Sequence, residues 1–266
     1  MISHLLIIGC GNMGGAMLAG WLAAVEDPAR FSVLDPALPQ APAGVTLYRD
    51  AAEAAAGRHD AVLLGFKPQQ LRALGPGLQA LTGDNVTVCS LLAGITLAQL
   101  GEAFPMTGAH LRVMPNLAAR INKSPVILAE AGLDSGGRSA MLALFDVLGT
   151  AIWLEDEAQF DLVTALAGSG PGFVYRFIDA LAGAATELGL EPDMAASLAL
   201  ATVEGAAALA ASAEVGPAVL ADRVASPGGM TREGLDVLDD GAVLRRLLVA
   251  TLRATAEKGA ALSKGA

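Results

Sequence analysis

Short runs of apolar residues alternate with helix-like segments through the first half of the chain. The runs are Leu5–Ile8, Phe31–Leu34, Ala61–Gly65, Val86–Cys89 and His110–Met114, separated by stretches such as Ala51–Ala56 and Gln69–Leu81. Strands buried on both faces read as continuous apolar runs, so this alternation predicts a parallel α/β sheet. A further run, Val126–Ala129, precedes a candidate helix over Ser135–Leu148 and a last short strand around Ala151–Leu154. From Glu155 onward the pattern is helical: about Glu157–Ala167, Gly172–Leu188, Pro192–Ala213, Gly216–Val224, Thr231–Asp239 and Ala242–Ser263, with Gly or Pro at most junctions. Two domains are expected, 1–154 and 155–266. The helix from Pro192 has little polar surface, which predicts burial on more than one face. A small helical domain supplies little such burial alone, so a homodimer of interlocked helical domains is inferred.

The first apolar run leads into Gly9-Cys10-Gly11-Asn12-Met13-Gly14 and then a helix, roughly Asn12 to Val25. This is the arrangement of a Rossmann-type dinucleotide site. Gly9 permits the tight turn, Gly11 lets backbone approach a pyrophosphate, Gly14 packs helix on strand, and the helix N-terminus faces the anion. Asp35, ending the second strand, falls where a carboxylate accepts ribose hydroxyls.

Composition narrows the remaining possibilities. The chain has 266 residues, 53% apolar, with material for a substantial core. Its net charge of −10 supplies no footprint for nucleic acid or an anionic membrane, which leaves a small-molecule partner. Cys10 and Cys89 form neither a disulfide framework nor a metal cluster, which suits a reducing cytoplasm. Leu5–Val25 is uncharged, but glycines interrupt it and no Lys or Arg precedes it, so a soluble protein is expected rather than a span or signal.

Further motifs sit where strands end. Gly65-Phe66-Lys67-Pro68 follows the third strand, with Lys67 lining the cofactor site and Pro68 starting a helix. Ala93 and Gly94, after the fourth, let backbone approach nicotinamide and ribose, and Asn116, after the fifth, offers an amide there. In the helical half, Ala167-Gly168-Ser169-Gly170-Pro171-Gly172 reads as a close-packing junction. Ser226-Pro227-Gly228-Gly229-Met230-Thr231 presents backbone N–H groups and two hydroxyls at a helix start, a nest for a carboxylate. Either region equally fits ordinary loop or cap chemistry taken alone.

Together these motifs, from the glycine loop to the C-terminal helices, resemble the pyrroline-5-carboxylate reductase family. The resemblance implies reduction of the cyclic imine to L-proline by NADPH or NADH, the last step of proline biosynthesis, and possible higher assemblies of dimers. It implies that Ser226, Gly228, Gly229 and Met230 bind the substrate carboxylate and that Thr231 hydrogen-bonds the ring nitrogen. Substrate already protonated at nitrogen would need no strong protein acid, and His4, His59 and His110 offer none. Many family members carry a small hydroxyl residue where this chain has Asp35, so the reading leans towards NADH with dual use open. Arg49 is a candidate to offset that charge. Glu157 falls where some members have an acidic residue near the amine; beside Glu155 and Asp156 it reads instead as a solvated acidic turn. The rival readings are a reductase for a related cyclic imine or β-hydroxyacid, disfavoured because the helical half has only Lys258 and Lys264, and a non-catalytic NAD(H) sensor or assembly protein.

Overall fold

The structure, a computed structural model, describes residues 2–24 and 27–263. Val25, where the first helix was expected to end, and Lys264 lie outside the described residues. Eight strands form one sheet: β1 (Leu5–Ile8), β2 (Phe31–Leu34), β3 (Thr46–Tyr48), β4 (Ala61–Leu64), β5 (Thr87–Ser90), β6 (Ala109–Met114), β7 (Ser124–Ala131) and β8 (Gly149–Trp153). Their order is β3-β2-β1-β4-β5-β6-β7-β8. The order reverses between β1 and β4, and the carboxyl ends of these two strands therefore flank the crevice where such sheets take their ligands.

The expected sheet is present with one change of direction. All pairings from β3 to β6 are parallel, but β7 runs antiparallel to β6, and β8 then parallel to β7. The cause lies in the connection. A parallel return needs a crossover of a dozen or more residues. Between β6 and β7 the chain has only a short 3₁₀ turn, Leu117–Ile121, with its flanking residues. The edge strand β3 escapes the apolar pattern because it has three residues, one of them exposed.

Among the described residues, the α-helices of the first unit before residue 169 are α1 (Asn12–Ala24), α2 (Ala51–Ala55), α3 (Leu71–Leu78), α4 (Leu97–Ala103), α5 (Ser135–Asp146) and α6 (Phe160–Val163), and α7 (Gly170–Glu187) belongs to the second unit. The strands β1 and β4 feed two cores with period 2. Leu5, Ile7, Ala61 and Leu63 join Met17, Leu18 and Trp21 of α1 and Phe145 of α5 on one face. Leu6, Ile8, Val62 and Leu64 join Leu71 and Leu78 of α3 and Leu100 of α4 on the other. Trp21 stacks on Phe31 at 5.4 Å and donates its indole N–H to the Leu144 carbonyl. The helix expected over Gln69–Leu81 is divided into 3₁₀ turns at either end of α3, with Gly75, Pro76 and Gly77 inside it. The helix α4 was not expected; a Thr96/Gln99 capping box starts it.

Chain contacts divide the molecule into Met1–Gly168 with Thr255–Ala266, and Ser169–Ala254. Composition divides it at 154/155 instead. In the second unit α7 packs along α8 (Pro192–Ser212), followed by α9 (Pro217–Arg223), α10 (Met230–Asp239) and α11 (Val243–Ser263), whose last turns belong to the first unit. Within residues 169–254 only Ala195, Ala199 and Ala225 are buried, while Tyr175, Phe177, Leu198, Leu209 and Leu247 are each at least half exposed. The apolar helix α8 is thus mostly open in the single chain. By length and composition alone it is also long and apolar enough to cross a membrane.

Candidate active site

At the carboxyl ends of β1 and β4 lies a cavity of about 920 Å³. The glycine loop forms its floor. Gly9 has φ +86°, and a Cβ there would sit 3.0 Å from the Phe66 backbone nitrogen. Gly11 by contrast faces open space, leaving its backbone bare to the cavity. A Cβ on Gly14 would meet the Gly9 carbonyl at 2.6 Å, so this third glycine brings α1 against the loop rather than lining the cavity. Bare backbone beneath a helix N-terminus is what a diphosphate requires, and the residues present fit a dinucleotide.

Gly9, Gly11, Asn12, Met13, Asp35, Phe66, Lys67, Pro68 and Ala93 all line this one cavity. Gly94 stands beside it with φ +79°. Asn116 is not among these lining residues. It is buried, its Oδ1 accepts the Ala118 N–H, and its Nδ2 donates to the Ala167 carbonyl. Its amide therefore anchors the turn after β6. Gly65 went unnoticed as a site residue, yet a Cβ there would lie 2.5 Å from the Gly9 carbonyl, so a side chain would push the two strand ends apart. Its position at the end of β4, directly before Phe66, was the available signal.

Glu157 is not a solvated turn residue. Its Oε1 accepts from Arg112 Nη1 at 2.7 Å and from the Leu97 N–H at 2.9 Å. Arg112 is almost wholly buried in β6, with its guanidinium carbon 3.7 Å from the centre of the Phe160 ring. A buried cation at residue 112, out of reach of any sequence pattern near 157, draws the carboxylate in. The glycine-rich junction is likewise only partly close-packed: Gly168 lies against Met114, whereas Gly170 and Gly172 face open space. Burial, with a contribution from Asp35, pushes the Cys10 thiol up, so the cysteine in the glycine loop is a poor nucleophile.

In the helical unit, Ser226–Gly229 forms a tight turn closed by the Gly229 N–H on the Ser226 carbonyl at 2.9 Å. Pro227 and Gly228, the latter at φ +70°, occupy its two central positions, the pairing a type II turn asks for. Gly229 then caps α10. The N–H groups of Met230 and Thr231 have no acceptor among the described residues, and both residues are exposed. The nearby Arg232 is occupied by Asp222 at 2.8 Å. What remains is a set of backbone donors with a helix dipole behind them, suited to a carboxylate.

Residues 157–262 match the pyrroline-5-carboxylate reductase dimerisation family. The chain is 34% identical to the pyrroline-5-carboxylate reductase of Pseudomonas aeruginosa over 87% of each chain. With that of Methanosarcina acetivorans it shares 32% identity over 93% of this chain and 94% of the relative. The chain belongs to the pyrroline-5-carboxylate reductase family. Its fold matches the solved family structure from Coxiella burnetii with a TM-score of 0.91, 29% identity and 98% of both chains covered. A Plasmodium falciparum pyrroline carboxylate reductase with NADP bound shares the fold at TM-score 0.82, 22% identity and 98% coverage of both chains. The match to a dimerisation family supports oligomerisation of this chain, and the matched residues include the helices whose apolar side chains are exposed in the single chain.

Proposed function

We propose that this chain reduces 1-pyrroline-5-carboxylate to L-proline with NADPH or NADH, as a cytoplasmic homo-oligomer. The observation that carries the reading is the pair of free N–H groups at Met230 and Thr231, in a chain of this family that also holds a glycine-floored cavity fitted to a dinucleotide. A sensor that only bound NAD(H) would have no use for a second, carboxylate-type site. The glycine loop with Asn12 and Met13 holds the diphosphate, and Ala93 and Gly94 border the nicotinamide. When bound, the reduced nicotinamide would supply the hydride to C2 of 1-pyrroline-5-carboxylate, the imine carbon that becomes C5 of proline.

The chain's own residues bind and orient. Ser226 and the free N–H groups of Met230 and Thr231 receive the carboxylate, with Gly228 and Gly229 turning the chain so that they converge; the Gly229 N–H itself is spent on the Ser226 carbonyl. The Thr231 hydroxyl hydrogen-bonds the ring nitrogen, holding an already protonated iminium or relaying a proton from water. The product amine thus takes one hydride at carbon and keeps one proton at nitrogen. No side chain of the site has to change its charge. The two subunits of a dimer interlock through the apolar faces of α7, α8 and α11, and dimers associate further.

Oxidation of NADH and NADPH, each measured with racemic pyrroline-5-carboxylate and with the product resolved, tests this. L-Proline formation is expected. Thr231→Ala removes one hydrogen bond, about 1 kcal/mol, and lowers kcat/KM roughly fivefold. Unchanged turnover and affinity would remove Thr231 from the site, and cofactor binding without turnover by the parent would favour the sensor.

A further inference from the structure

The charges of the dinucleotide cavity gather where β2 ends. Its charged lining residues are Asp35, Arg49 and Lys67, two cations against one carboxylate, in a chain whose formal net charge is −10. Asp35 is turned towards its own backbone. Its Oδ2 accepts the Cys10 N–H at 2.8 Å and its Oδ1 the Ala37 N–H at 2.9 Å. The carboxylate ties the glycine loop to the turn after β2, and both oxygens already hold fixed donors.

Arg49, the residue after β3, reaches across to that same turn. Its Nη1 donates to the carbonyls of Asp35 (3.3 Å), Pro36 (3.3 Å) and Leu38 (2.5 Å), and its Nη2 to that of Pro39 (3.1 Å). Carbonyls hold a guanidinium in place without cancelling its charge. Among the described residues no carboxylate pairs with it, and its Nε–H and one Nη2 hydrogen have no acceptor.

Resting on the reductase reading above, we propose that Arg49 is the specificity-determining residue of the cofactor site. It receives the 2′-phosphate of NADPH, so that the chain binds both cofactors despite Asp35. A phosphate carrying a charge of about −1.5 to −2 would be repelled by Asp35 alone. Beside it stands a planar fork matched to phosphate oxygens, already ordered by four carbonyls, so that little side-chain freedom is lost on binding.

The test is a binding titration independent of turnover. NADPH and NADH are followed by nicotinamide fluorescence, and 2′,5′-ADP and ADP by calorimetry, on the parent, Arg49→Gln and Arg49→Lys. The parent is expected to bind NADPH within about tenfold of NADH. Arg49→Gln should weaken NADPH and 2′,5′-ADP by about ten- to a hundredfold while NADH and ADP shift by less than about twofold. Arg49→Lys should recover part of the loss. Equal weakening of all four ligands would make Arg49 a brace for the turn and overturn the proposal, as would a parent that binds NADH well and NADPH not at all. A folded parent that binds none of the four would instead sink the dinucleotide reading itself.

Discussion

Replacing Glu157 by alanine leaves the Arg112 guanidinium buried without its carboxylate. The side chains are 6% and 32% exposed, so the arginine has no route to bulk water while the glutamate site has some. Stranding one member of a fully buried pair costs about 3–5 kcal/mol. Water entering at the Glu157 side recovers part of this, whereas the orphaned Leu97 N–H adds about 1 kcal/mol. The expected loss is about 3 kcal/mol, which lowers Tm by roughly 6–12 °C for a unit of this size. Urea unfolding read by tryptophan fluorescence measures it, since Trp21 lies in the core that β6 shares. Glu157→Gln, which keeps an acceptor oxygen but not the charge, should lose about half as much. The double replacement Arg112→Met with Glu157→Leu should cost only about the 1 kcal/mol of the orphaned Leu97 N–H, because the two apolar side chains themselves need no partner. A Glu157→Ala protein within about 0.5 kcal/mol of the parent would refute the reasoning and return Glu157 to the solvent-facing role its acidic neighbours suggest.

Two further outcomes follow from local geometry. Gly9→Ala forces a Cβ onto φ +86° and against the Phe66 nitrogen, so NADH affinity should fall at least tenfold, read by fluorescence titration. Burial, and then the neighbouring His59, lower the His4 pKa against the opposing pull of Asp60 and Asp27. The folded state therefore favours the neutral ring, and the unfolded chain takes up the proton first as pH falls below about 6.5. Stability is fully present above that value and is lost as pH drops through the folded pKa. Urea midpoints at about pH 7.5 and about pH 5.5 should converge in His4→Gln relative to the parent.

The parts of the fold legible in the sequence are those in which one residue type answers to one local demand. Leu5–Ile8 and Ala61–Leu64 read as strands because both faces are covered, and every position is buried. The glycine loop is legible for the same reason: φ and close approach at Gly9 and Gly14 leave no other choice of residue. Direction and pairing are not local. The reversal at β7 depends on how short the link after β6 is, and Arg112 with Glu157 depends on a contact spanning 45 residues. Asn116 shows the limit from the other side, since an amide at the mouth of a sheet looks equally suited to a ligand and to the Ala167 carbonyl that occupies it.

The helical unit presents the opposite problem, an apolar pattern whose partner is not in the chain. The scarcity of polar residues along the helix from Pro192 predicts burial on more than one face, and in the single chain Leu198, Leu200 and Leu209 are each more than half exposed. A domain with three buried alanines cannot offset the ordering entropy of some eighty residues at about 1–2 kcal/mol each for the backbone alone. The missing burial has to come from outside this unit, and the match to a dimerisation family makes association between chains the source to test. Folding of this half and association are then one equilibrium, so its apparent stability should rise with protein concentration. Leu198→Glu places a charge on the exposed face of α8 and should both dissociate the oligomer in sedimentation and abolish that concentration dependence. A Leu198→Glu protein that stays assembled would mean that α8 contributes its apolar surface to something other than its twin.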